Sequence, residues 1–217
     1  MNSVFDFGNI AHEYDAYYLS SFGKEIDRLE KAIIEDFLDY LNTKELFEIG
    51  CGTGHWTEFF TQKGFQLRAI DISEKMIAVA KSKNIKNARF ELANILNLPL
   101  KNESLENIVA ITALEFTGNQ QKAFDEIYRV LKPGGYFICA GLNGTSPFWE
   151  DKKEDTVYKN AEFFSEKILT KLLSKFGKPV FKAAAVFENN KFCDNQYTEN
   201  EKLSKAAFIA ALVQKHF

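Results

Sequence analysis

The chain is short of the residues that build metal centres and disulfide frameworks. Three histidines and three cysteines are scattered through 217 residues. Cys51, Cys139 and Cys193 lack the paired spacing that a metal site requires, so no metal is expected. Cys51 lies in a glycine-rich turn and Cys139 in an apolar run, where packing is the expected role. No apolar stretch is long enough to span a bilayer, and no signal peptide opens the sequence, which makes a cytoplasmic location the expectation. Clustered basic charge is missing too. With a net charge of −3 and a pI near 5.7, the chain does not read as a nucleic-acid binder. Internal repeats and low-complexity tracts are absent.

What is present is a strand-turn-helix signal. Leu46-Phe47-Glu48-Ile49 is a short apolar run that feeds Gly50-Cys51-Gly52-Thr53-Gly54. Glycines tolerate positive φ and carry no Cβ, so such a turn lets the backbone approach a nucleoside closely. Asp71 ends the next apolar run, roughly twenty positions beyond the first glycine, where an acid can accept hydrogen bonds from ribose hydroxyls. A dinucleotide turn would place its third glycine at position 55, which is His55. Glu48 would gain nothing from a pyrophosphate but would favour a ligand carrying an ammonium or sulfonium.

Elements alternate along the chain. Helical periodicity covers Phe22 to Leu41, behind a Tyr- and Phe-rich piece from Phe5 to Tyr18. Strands are expected at Leu46–Ile49, Leu67–Ile70, Ala88–Leu92, Asn107–Ile111 and Tyr136–Ala140. Helices are expected at Trp56–Lys63, Glu74–Ser82 behind a Ser73 cap, and Gln120–Leu131. Lys132-Pro133-Gly134-Gly135 reads as a stop and a turn. Later come a loop over Pro147–Asn160, a helix over Ser165–Phe176 and a strand over Val180–Phe187. Phe208 to Val213 suits either a strand or a short helix. The alternation predicts a doubly wound α/β sheet in a single domain over 1–217. Its parts are a helical lid over 1–43, a cofactor-binding core over 44–145 and a C-terminal part over 146–217 that completes the sheet and the acceptor side.

The acid-x-Gly-x-Gly-x-Gly run, with Ala69-Ile70-Asp71-Ile72 and Glu91-Leu92-Ala93-Asn94-Ile95 in that order, resembles the class I S-adenosylmethionine-dependent methyltransferases, small-molecule branch, including the ubiquinone- and menaquinone-pathway type. The resemblance implies a Rossmann-like seven-stranded sheet of order 3-2-1-4-5-7-6, with strand 7 antiparallel. It also implies S-adenosylmethionine as cofactor, held by Glu48, Gly50, Cys51, Gly52, Thr53, Gly54, Asp71, Ile72, Met76, Asn94, Ile95 and Thr112. In this pattern Ile72 and Met76 flank the adenine, although Met76 also suits the core. Asn94 stands where an Asp normally receives the adenine amine. The expected activity is direct displacement of a methyl group onto a small or medium-sized acceptor. A non-catalytic binder of the same cofactor is the second reading and an NAD-dependent oxidoreductase a third. His12 and Tyr14 are candidates for a base, with aromatic packing as the rival role. Tyr17 and Phe148-Trp149 are candidates for the acceptor wall. For His55 a structural or solvated role is expected, and His216 is expected to be solvated. The acceptor and the oligomeric state are left open.

Overall fold

A computed structural model describes residues 10–150, 158–188, 191–193 and 203–216. Two helices open the described chain, α1 (Ile10–Leu19) and α2 (Ser21–Leu38). Ser20 separates them, and its hydroxyl caps α2 by accepting the Gly23 amide at 2.9 Å. There follow β1 (Glu45–Ile49), α3 (His55–Gln62), β2 (Gln66–Asp71), α4 (Glu74–Ser82), β3 (Ala88–Leu92), β4 (Leu105–Ile111), α5 (Gln120–Val130), β5 (Leu131–Leu142), α6 (Glu166–Leu172), β6 (Val180–Glu188), β7 (Lys191–Cys193) and β8 (Ala206–Gln214). All form one sheet in the order β3-β2-β1-β4-β5-β8-β6-β7. This is the expected 3-2-1-4-5-7-6 arrangement, with β8 as its antiparallel member and the short β7 added by hairpin at the edge.

Period-two alternation feeds two cores. Val109 and Ile111 of β4 join α2 and α3 on one face, while Ile108 and Ala110 join α5 and α6 on the other. Both faces are covered, so β8 is apolar along nearly its whole length. An Ala-rich, doubly buried strand shows no alternation, and this is why its sequence reads equally as helix. α2 lays Ile26, Leu29, Ile33, Ile34 and Phe37 against the sheet. Each such side chain contributes about 1.5–3 kcal/mol on burial, so this part of the expected lid belongs to the core.

One motif behaves differently from its reading. Lys132-Pro133-Gly134-Gly135 does not precede β5 but lies inside it. Leu131 pairs with Leu105 and Tyr136 with Asn107, so the intervening residues bulge out of the ladder. Gly134 takes φ +78, and a Cβ on Gly135 would come within 2.6 Å of the Glu106 carbonyl. Glycine is required there for a bulge rather than a reversal. No helix among the described residues is long and apolar enough to cross a membrane. The charge run Lys152-Lys153-Glu154-Asp155, expected from its composition to be a solvated surface loop, and the side chain of Cys193 lie outside the described residues.

Candidate active site

The glycine turn is tied to the end of β2 by its own amides. Gly50 and Cys51 both donate to the Ile70 carbonyl, at 2.8 and 3.0 Å. Gly50 has φ +70, and a Cβ there would sit 2.2 Å from the Ala113 Cβ, so no other residue fits. Gly52, at φ +53, is the opposite case: a Cβ would meet nothing within 4 Å. Its backbone faces open space. Gly54, at φ +87, starts α3 in the left-handed conformation.

Asp71 locks this turn. Its Oδ2 accepts the Gly52 amide at 2.8 Å and its Oδ1 the Ser73 amide at 2.9 Å. A carboxylate accepts several hydrogen bonds, so these anchors fix its direction and are compatible with hydroxyl binding. Above the turn lies a cavity of about 170 Å³. Gly50, Gly52, Asp71, Ile72, Met76, Asn94, Ile95 and Thr112 line it, together with Tyr14 from α1. Ile72 is 38 % exposed beside it, while Met76 is buried and serves core and cavity at once. Asn94 Oδ1 accepts the Leu96 amide at 2.9 Å, which caps a short 3-10 turn and fixes the side chain at the rim.

Four of the expected cofactor residues do not line the cavity. Gly54 and Cys51 turn the chain behind it, with the Cys51 thiol buried and its pKa pushed up by desolvation. Thr53 donates through Oγ1 to Asp15 of α1 at 2.6 Å. Glu48 is 2 % exposed, and its Oε2 accepts the Thr57 hydroxyl at 2.5 Å. Burial raises the Glu48 pKa to about 8, with the Asp71 charge adding to the shift and the Thr57 hydrogen bond opposing it. The side chain works under the turn, against α3.

Thr112 sits at the end of β4 with φ +46. For a β-branched residue this conformation costs on the order of 1–3 kcal/mol. It is held by the Thr112 amide donating to the Ala140 carbonyl at 2.8 Å, and its side chain shares the cavity wall with Tyr14. Thr112, Tyr14 and Phe116 also line a second cavity, of about 300 Å³. The two spaces therefore meet at these three side chains.

The second cavity is aromatic. Tyr17 and Tyr18 come from α1, and Phe148, Trp149 and Tyr158 from beyond β5. Trp149 is clamped by its indole N–H donating to the Ala207 carbonyl at 2.8 Å. Its ring meets Phe148 and Tyr158 edge-on, at centroid distances of 4.8 and 5.2 Å. Ala185 and Ala207 leave the room that larger side chains would fill. Burial raises the pKa of Tyr14, Tyr17 and Tyr18, so these phenols stay protonated. Glu30 is the one acid on the wall among the described residues. Desolvation above all, with Asp27 and Glu115 adding like charge and Lys31 opposing, raises its pKa to about 8.

α1 is fastened across both spaces by polar contacts. Asp15 bonds Thr53 and, at 2.5 Å, Lys83, the C-cap of α4. Tyr18 stacks on His55 at 3.7 Å. The His55 ring reaches Asp27 of α2 at 2.6 Å, and Lys31 closes the group on the other Asp27 oxygen at 2.7 Å. His55 thus joins α3 to the N-terminal helices. His12 belongs to α1, but its side chain lies outside the described residues; His216 is exposed.

Sequence reasoning missed Glu30, Glu115, Tyr18 and Phe116. Glu30 had a signal: it falls four residues after Ile26 and three before Ile33, an acid beside the apolar stripe of α2. Glu115 is fully buried between Leu114 and Phe116. Its Oε1 accepts the Leu142 amide at 2.8 Å, and burial raises its pKa to about 7. It stands against Gly141, where a Cβ would meet its Oε1 at 2.0 Å.

A family model described as a methyltransferase domain matches residues 47–139. An uncharacterized protein of Methanocaldococcus jannaschii is 30% identical over 94% of this chain and 90% of its own length. The demethylmenaquinone methyltransferase of Lactococcus lactis is 28% identical over 97% of this chain and 83% of its own. Among solved structures, a Thermotoga maritima S-adenosylmethionine-dependent methyltransferase, described as a possible histamine N-methyltransferase, superposes with a TM-score of 0.78. It covers 98% of both chains at 23% identity, a likeness of fold.

Proposed function

We propose that this chain, which belongs to the class I S-adenosylmethionine-dependent methyltransferases, methylates a small-molecule acceptor held in the aromatic cavity. The observation that carries this reading is the shared wall of Tyr14, Thr112 and Phe116, which sets an apolar, enclosed space directly beside the cavity over the glycine turn. A donor and an acceptor placed there are neighbours.

The residues present fit the donor. The open space over Gly52 lets a ligand rest on backbone. Asp71, aimed by two amides, suits a pair of ribose hydroxyls. Ile72 and Met76 offer apolar contact to a base, and Asn94 and the Ile95 amide stand at its polar edge. When bound, S-adenosylmethionine supplies a methyl carbon on a positively charged sulfur, which the acceptor's lone pair takes while the carbon–sulfur pair leaves on sulfur. The chain's own part is alignment and the exclusion of water, which can supply most of the acceleration of such a displacement. α1 excludes water by covering both cavities, and Tyr14 and Thr112 fix the boundary between them. The tyrosines are too weakly acidic here to accept protons as phenolates, so orientation is their role.

Titration calorimetry with S-adenosylhomocysteine and with NADH tests the donor site. Saturable binding of the first and none of the second is the expected result; the reverse would sink the reading. Transfer of label from S-[methyl-³H]adenosylmethionine to a component of a metabolite extract is expected of the active chain. Donor binding with no transfer would favour the non-catalytic alternative.

A further inference from the structure

We propose that the aromatic cavity takes an organic amine, with the Glu30 carboxylate receiving its ammonium head and then the proton whose removal exposes the nitrogen lone pair. This inference rests on the methyltransferase reading and specifies the acceptor class. It begins from Glu30, half-buried in the cavity wall, having no hydrogen bond and no ion pair among the described residues. The nearby cation, Lys31, is committed to the Asp27 carboxylate at 2.7 Å and lies 3.1 Å from the His55 ring. A partly desolvated acid without a partner in the chain is ready to take one from a ligand.

The surroundings select what that partner is. Tyr14, Tyr17, Tyr18, Phe148, Trp149 and Tyr158 surround the space with aromatic rings. Ring faces attract cations, and organic ammonium groups are bound elsewhere by aromatic cages of this kind. An anionic acceptor would raise the Glu30 pKa further, as the Asp27 charge already does, and would gain no ion pair from it. A neutral acceptor would leave Glu30 in its protonated form, with no charge to pair. An ammonium satisfies both the acid and the rings.

The proton step balances within the chain. One N–H bond of the ammonium breaks, its electron pair stays on nitrogen, and the proton forms an O–H bond on Glu30. A positive and a negative group become two neutral ones. The charge of a bound ammonium holds the facing carboxyl ionised, and the raised pKa that Glu30 has without it, about 8, brings the acid closer to an amine in proton affinity and so eases this transfer. Tyr14, Tyr17 and Tyr18 stay protonated, and Glu30 is the carboxylate among the described lining residues that can accept the proton.

The test uses the full chain saturated with S-adenosylhomocysteine and three probes of one shape: 2-phenylethylamine, 2-phenylethanol and phenylacetate. Calorimetry, with intrinsic tryptophan fluorescence as a second signal, is expected to rank the amine at least about tenfold tighter than the other two. Glu30→Gln is expected to weaken the amine at least about tenfold while leaving the alcohol and S-adenosylhomocysteine within about twofold, since one lost charge-assisted contact is worth that much. Retained S-adenosylhomocysteine binding also reports that the variant is folded. Absence of amine binding, equal binding of amine and alcohol, or an equal effect of Glu30→Gln on both overturns the inference while the donor reading stands. Failure of the unsubstituted chain to bind S-adenosylhomocysteine removes the donor reading and this inference with it.

Discussion

Two desolvated acids with the same raised pKa, about 8, stand on either side of the wall shared by the two cavities, which we propose as the donor and acceptor sides. Glu48 is paired with Thr57 and sealed under the glycine turn. Glu30 has no partner among the described residues and faces a cavity. The same physical cause, desolvation, acts on both. What differs is whether the chain itself supplies the hydrogen bond. The donor side is completed from within by backbone amides and one hydroxyl. The acceptor side is left incomplete, in a wall assembled from α1, α2 and the segments beyond β5.

The sharpest way to break this contrast is to add one carbon to the turn. Gly50→Ala places a Cβ against Ala113 at 2.2 Å in a left-handed conformation. Overpacking of about 1–3 kcal/mol and a backbone penalty of about 1–2 kcal/mol act together. Urea unfolding should therefore show a loss of roughly 3 kcal/mol, together with lost S-adenosylhomocysteine binding. Gly52→Ala is the control, because its Cβ meets no neighbour. Only the backbone penalty, about 1–2 kcal/mol, should appear in its stability, yet donor binding should still fail because the new carbon enters the cavity. Equal stability losses at the two positions would refute the distinct roles assigned to them.

A smaller effect is expected at Asp71, where both carboxylate oxygens accept backbone amides. Asp71→Asn turns one acceptor into an NH₂ group that faces an N–H. The expected cost is about 2 kcal/mol in stability and about 10- to 100-fold in S-adenosylhomocysteine affinity. A neutral substitution by both measures would show that the turn holds its shape without this acid.

These differences explain what was legible in the sequence. Gly50, Asp71 and Asn94 each stand at a strand end, where spacing along the chain fixes spacing in space, so the turn, its lock and most of its lining could be read directly. Glu48 stood at the right position in the motif, but a motif does not report which side of a turn a side chain occupies. Glu30, Tyr18 and Tyr158 meet through the packing of α1 and α2 across the sheet, and no local pattern encodes that meeting. Tyr17 and Phe148-Trp149 were reached by residue type, because aromatic side chains near the sheet mouth suit an acceptor wall. β8 was ambiguous because burial on both faces erases alternation, and Lys132 to Gly135 because a bulge and a turn use the same residues.

The comparison of the two acids can itself be sharpened through pH. Glu48 has an ordinary carboxyl pKa of 4.5 when exposed and about 8 when folded. Below pH 4.5 it is protonated in both states and carries no penalty. As pH rises toward 8 the unfolded chain loses this proton while the folded chain keeps it, so stability falls across that window and the loss is complete above it. One such group contributes a slope of up to about 1.4 kcal/mol per pH unit. Glu30 and Glu115 titrate in the same direction over overlapping windows, so the whole chain should be more stable at pH 5.5 than at pH 7.5. Glu48→Gln removes one contributor and preserves an acceptor for Thr57. Urea unfolding of the variant should lose less stability between those two pH values, by an amount on the order of 1–2 kcal/mol, while the amine preference of the aromatic cavity stays as it was. Parallel stability curves for variant and parent would mean that Glu48 is already ionised when folded, with a cation or water beneath the turn, and the two acids would then differ in charge as well as in partner.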